Sequence, residues 1–112
     1  MSSVREMVKA MQQEMLTGDL PPTRATELLI RLSALIGNTN EEIRGADSAY
    51  AAVLLRELEQ NEKANRARIR AETTEEYARK REARDTKELV LELTRSLKYL
   101  IRSAQEEMRL AR

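Results

Sequence analysis

The chain has no cysteine, no histidine, no tryptophan and no phenylalanine, and its 112 residues include only three tyrosines, three glycines and two prolines. Without cysteine there is no disulfide scaffold and no thiolate metal site, a composition that fits an intracellular protein. Without histidine the commonest general base and the commonest metal ligand are missing, and a Glu-x-x-His metal motif is impossible. Gly18, Gly37 and Gly45 are isolated, so no glycine-rich loop is available to cradle a phosphate. A serine near a lysine, such as Ser96 and Lys98, is the ordinary content of a charged surface. These absences predict a non-enzymatic protein with no catalytic residues, no metal and no cofactor. No apolar run approaches the roughly 18 residues of a membrane span, and the N-terminal stretch lacks a signal-type apolar segment. The expectation is a protein with no membrane partner, resident in the cytoplasm.

With aromatics scarce, the core must come from Leu, Ile, Val, Ala and Met, a supply suited to helix packed on helix. Charged residues make up 35% of the chain and nearly cancel, leaving a formal net charge of +1. That balance, with abundant Ala, Glu, Lys, Leu and Arg, points to long or coiled helices in a single domain spanning 1–112. Ser3-Val4-Arg5-Glu6 reads as a capping box, followed at helical spacing by Val4, Met7, Val8, Met11 and Met15. Gly18 can take the left-handed conformation that ends a helix, and Asp19-Leu20-Pro21-Pro22 reads as a rigid turn. A second helix is expected from about Thr23, with Ala25, Leu28, Leu29, Leu32, Leu35 and Ile36 on one side and a stop at Gly37. Residues 1–37 would then form an N-terminal αα-hairpin.

Thr39-Asn40-Glu41-Glu42 reads as a further capping box, opening a third helix. A seam at spacings of three and four runs through Ile43, Ala46, Tyr50, Val53, Glu57, Gln60, Ala64, Ala67, Ala71, Thr74 and Ala78. Thr73-Thr74-Glu75-Glu76 marks a point where that helix can break and restart. Asp85-Thr86-Lys87-Glu88 is expected to open a last helix whose inward residues are Leu89, Val90, Leu93, Leu97, Leu100, Ile101, Ala104 and Met108, with Leu91, Tyr99 and Leu110 widening its apolar surface. The predicted architecture is therefore all-α: an N-terminal helical hairpin, then a long antiparallel coiled-coil-like hairpin over 41–112. A helix of about 40 residues is about 60 Å long and exceeds what the short helices of one chain can cover, so a homo-oligomer is expected. Leu93, Leu97, Leu100, Ile101 and Ala104 are the candidate oligomer interface.

The stretch KANRARIRAETTEEYARKREARD, Lys63 to Asp85, tests whether this region binds nucleic acid. Lys63, Arg66, Arg68, Arg70, Arg79, Lys80, Arg81, Arg84 and Lys87 supply cations, and Arg66 and Arg70 share one helix face. Glu62, Glu72, Glu75, Glu76, Glu82, Asp85 and Glu88 interleave with them, and aromatic stacking platforms are missing. That pattern favours a solvated, salt-bridged face. The pairs Glu59/Lys63, Glu62/Arg66, Glu75/Arg79 and Glu76/Lys80 are placed to support it, at about 0.2–0.5 kcal/mol each. Where the seam turns polar, two readings compete. In one, the register drifts and Leu54 and Leu58 become the inward residues. In the other, Tyr50, Glu57, Gln60 and Asn61, with Arg66 and Arg70 supplying positive charge, form a ligand site for a nucleotide or nucleic acid at a hairpin or subunit interface.

Two stretches, EKANRARIRAETTEEY from Glu62 to Tyr77 and REARDTKELVLELTRSLKYLIRSAQEEMRLAR from Arg81 to Arg112, resemble small helical proteins of tailed bacteriophages and prophages. The resemblance spans residues 41–112. It implies an accessory role in replication, recombination or counter-defence, exercised in the host cytoplasm, and it implies no site residues. The function expected from these readings is binding of a host or phage macromolecule, with a protein partner, through an oligomeric helical scaffold. The alternative is a protein that sequesters an anionic ligand, either nucleic acid or a nucleotide signal.

Overall fold

The computed structural model describes residues 3–61 and 63–111. Among them are four helices and no strand: α1 (Val4–Leu16), α2 (Pro22–Gln60), α3 (Ala64–Ala71) and α4 (Glu75–Leu110). The Ser3 hydroxyl caps α1 by accepting a hydrogen bond from the Glu6 N–H at 3.1 Å. The chain leaves α1 through Thr17 and through Gly18 at φ +84°, a conformation that L side chains rarely adopt. Pro21 in extended backbone and Pro22 at the first helical position then start α2, where the missing N–H costs nothing.

α2 does not stop at Gly37, and Thr39 does not open a new helix. One helix of 39 residues runs through both. A mid-helix glycine costs about 1 kcal/mol relative to alanine. Packing outweighs it, because Ala25, Leu28, Leu32, Leu35, Thr39, Ala46, Tyr50 and Val53 form one buried stripe across that point. Thr39 turns its hydroxyl back onto the Ile36 carbonyl at 2.7 Å, which satisfies it inside the helix. The Asp85-Thr86 cap signal is overridden in the same way. α4 is continuous for 36 residues, and the Thr86 hydroxyl donates to the Glu82 carbonyl at 2.8 Å. Its buried stripe, Ala83, Thr86, Val90, Leu93 and Leu97, has the spacing that faces a neighbouring helix.

The break at Thr73–Thr74 is present. The Thr74 hydroxyl accepts from the Tyr77 N–H and donates to the Ala71 carbonyl, closing α3 and opening α4 with the same side chain. A second break falls at Asn61, which is extended (φ −123°, ψ 136°) and donates its amide to the Glu57 carbonyl at 2.7 Å. α3 is thus a separate two-turn helix. It lies on α2 through Ala67 and Ala71, both fully buried, while Ala64 and Ala78 are exposed.

α2 and α4 pack side by side in opposite directions. Near the α3 end Tyr50 meets Tyr77 and Asp47 pairs with Arg84; further along, Leu28, Leu32 and Leu35 share a cluster with Val90, Leu93 and Leu97. The chain reverses between the end of α2 and the start of α4, not near Asp85. α1 runs along the other end, adding Val8 to that cluster and Val4, Met7, Met11 and Met15 around it. Arg5 ties α1 to α4 by an ion pair with Glu82 at 2.9 Å and a hydrogen bond to the Thr86 hydroxyl at 3.1 Å. Glu14 ties it to α2 through two hydrogen bonds from Arg24, the Nη2–Oε1 one at 2.8 Å. The molecule measures 72 × 28 × 22 Å. Its radius of gyration is 19.6 Å, against about 13 Å for a compact chain of this length.

Candidate functional site

The six polar-seam residues do not line a common cavity. Tyr50 is buried in a small cluster with Val53 and Ala71, packed by Leu54 and Tyr77. The Tyr50 and Tyr77 rings lie 5.4 Å apart at 47°, and Lys80 Nζ stands 4.4 Å from the Tyr50 ring centroid. Burial pushes the Tyr50 phenol above its ordinary pKa, and the negative charge of Glu72 adds to that shift. The Tyr50 ring therefore has an aromatic and a cationic neighbour from within the chain. Glu57 is half-buried, and its carboxylate accepts from the Asn61 amide at 3.2 Å, so the two act together as the end of α2. Gln60 is exposed. Arg66 and Arg70 are exposed on a flank of α3, turned about a quarter-turn from the Ala67/Ala71 face that meets α2.

Among the described residues no carboxylate lies within ion-pair distance of Arg66, Arg68 or Arg70. Glu62, the expected partner of Arg66, lies outside the described residues. Of the other pairs read along this segment, Glu59/Lys63 straddles the break at Asn61. Arg79 is directed across the α2 backbone at Gly45, where an added Cβ would come within 3.2 Å of its Nη2, and Lys80 is on Tyr50. The ion pairs that form instead are mostly between elements or on other turns: Arg5–Glu82, Arg24–Glu14 and Arg84–Asp47. No group of three or more carboxylates among the described residues is arranged to hold a metal ion. No described helix is long and apolar enough to cross a membrane.

A cleft of about 240 Å³ opens between the start of α1, the middle of α2 and α4. Arg5, Arg79, Glu42 and Glu82 line it, two charges of each sign. A larger groove of about 650 Å³ runs between α1 and α4. Gln12, Met15 and Leu16 form one wall; Leu93, Ser96, Tyr99 and Leu100 form the other. Leu16 and Tyr99 are each 70% exposed and Leu100 is 44% exposed. Beyond the groove, Met108 and Leu110 also remain exposed on α4. Of the five candidate interface residues, Leu93 and Leu97 are buried within the chain, Ile101 and Ala104 are half-buried, and Leu100 is the most open to solvent. The sequence marks Tyr99 and Leu110 as surplus apolar surface. It gives no sign that Leu16, at the far end of α1, joins them.

No family model, curated protein or solved structure matches this chain.

Proposed function

We propose that this protein is a non-enzymatic accessory protein that binds a host or phage macromolecule through an oligomeric helical scaffold. In this reading α2 and α4 form a coiled-coil-like hairpin, and the apolar groove between α1 and α4 is the surface that meets other chains. The observation that carries it is surplus surface. The chain exposes 8242 Å², whereas a compact monomer of its mass exposes about 6,300 Å². Part of the excess is the apolar end of the bundle, with Leu16, Tyr99, Leu100, Met108 and Leu110 on show. Leu16, Tyr99 and Leu100 line one groove, and monomeric soluble proteins rarely expose large contiguous apolar patches. The phage-type setting, with the host cytoplasm as its place of action, comes from the resemblance of residues 41–112 and from nothing else.

The test is capture of partners from extracts of the producing cell by wild type and by Leu16→Glu/Tyr99→Glu. A protein retained by wild type at high salt and lost by the variant supports the reading. Equal retention by the two refutes this surface.

A second reading, sequestration of a nucleotide or nucleic acid, has one observation in its favour: Arg66, Arg68 and Arg70 stand exposed on α3 with no described carboxylate paired to them. Binding of that kind weakens steeply with salt. Calorimetry of nucleotides and short oligonucleotides against wild type and Arg66→Ala/Arg70→Ala decides it.

A further inference from the structure

Resting on the oligomeric reading, we propose that the occupant of the α1–α4 groove is α4 of a second copy of this chain, laid antiparallel about a two-fold axis passing beside Leu100. The orientation follows from the charges beside the groove. Glu92, Arg95, Tyr99, Arg102, Glu106 and Arg109 recur at spacings of three and four, so they share one stripe of α4, and all six are exposed. Among the described residues only Glu106 and Arg109 approach each other, at 3.6 Å. Turned end for end about a point between Leu100 and Ile101, the stripe complements itself. Glu92 meets Arg109 of the second copy, Arg95 meets its Glu106, and Tyr99 meets its Arg102, each contact occurring twice. A parallel arrangement would set Arg95 on Arg95 and Glu106 on Glu106. Charge order therefore selects antiparallel pairing, as flanking charges do between coiled helices.

Packing and surface area favour the same pairing. The face of α4 between the charged stripe and the core carries Ser96, Leu100 and Ser103, so two helices can approach closely around one leucine. Residues 92–109 span about 27 Å, about five turns of each helix. The surplus over a compact monomer is roughly 1,900 Å², more than the ~800 Å² that each partner contributes to a standard interface. On the α1 side, Met15 and Leu16 would close over the docked helix.

The experiment is a charge-reversal cycle on the full chain, read by sedimentation equilibrium, with circular dichroism confirming helix content. Arg95→Glu and Glu106→Arg each convert two attractive contacts into two repulsive ones. Each should raise the dimer dissociation constant by roughly tenfold or more, and the double variant should return it to within a few-fold of wild type. Leu100→Arg should abolish the dimer while leaving the monomer helical. If wild type associates and neither reversal matters, or if the double variant fails to recover, this pairing is wrong although an oligomer through another face stands. If wild type sediments as a single chain at every concentration, the pairing and the oligomeric reading both fall.

Discussion

Gly37 discriminates between two structures of α2 by the sign of one substitution. If the helix ended there, Gly37 would hold the left-handed conformation, and alanine would be strained by about 1–2 kcal/mol. In the structure Gly37 is an ordinary residue in mid-helix: Gly18 is the glycine with positive φ, and a Cβ added at Gly37 meets nothing within 4 Å. Gly37→Ala should therefore stabilise the protein by about 0.5–1 kcal/mol, through helix propensity and a less flexible unfolded chain. For a chain of this size that is a rise in melting temperature of about 2–6 °C. Two controls come from the same molecule. Gly18→Ala, at φ +84°, should lose about 1 kcal/mol. Gly45→Ala should be nearly neutral, because its Cβ would lie 3.2 Å from Arg79 Nη2 and the guanidinium must swing aside. Urea denaturation followed by circular dichroism, at one fixed protein concentration, measures all three. A Gly37→Ala variant destabilised as much as Gly18→Ala would refute the continuous helix.

Leu97 is fully buried where α1, α2 and α4 meet, so Leu97→Ala should cost about 3–5 kcal/mol in urea denaturation, and Leu97→Asp, placing a charge there, should unfold the chain. Leu110→Ala, on an exposed side chain, should change stability by less than about 0.5 kcal/mol. The Tyr50 pKa is raised by burial first and then by Glu72, so the stability it gives is complete below the ordinary tyrosine value and is lost as pH rises through the raised one. Tyr50→Phe should move alkaline unfolding, followed by tyrosine absorbance and circular dichroism, to higher pH. Hydrogen bonds from Arg24 hold the Glu14 carboxyl below its usual range, so its contribution is present above the ordinary glutamate pKa and fades as pH falls through the depressed value. Glu14→Gln should flatten the acid limb of the stability profile; an unchanged limb would show that the Glu14–Arg24 contact between α1 and α2 contributes nothing.

The all-helical class, the Ser3 cap, the Gly18 exit and the Thr74 restart were legible because each is a local signal read at its own position. The buried stripe of α2 was legible too, but in two pieces. Leu28, Leu32 and Leu35 were assigned to a hairpin and Ala46, Tyr50 and Val53 to a separate seam, because Gly37 and the Thr39 box look like punctuation. Joining them requires α4, whose Val90, Leu93 and Leu97 pack on the first half and whose Tyr77 and Arg84 meet the second. Asp85-Thr86 misleads for the same reason: the bond from Thr86 to the Glu82 carbonyl and the contact with Arg5 depend on a helix that packs on both sides. The break at Asn61 has no glycine or proline to announce it; its amide bonding back to Glu57 is the device. The polar seam looked like a site because Tyr50, Glu57 and Gln60 share a heptad face in an unbroken helix. The helix ends at Gln60, and α3, folded back onto α2 through Ala67 and Ala71, carries Arg66 and Arg70 on its own flank. The α1–α4 groove was half legible, as the excess of apolar residues on α4, while Leu16 becomes part of it only through the path of α1.

The mass of the wild-type protein in solution tests the central claim most directly. Light scattering on a micromolar dilution series should give twice the 12.9 kDa of one chain, falling toward one chain only at the lowest concentrations. A mass of 12.9 kDa throughout would contradict the account, leaving the exposed face of α1 and α4 without the second copy proposed to cover it.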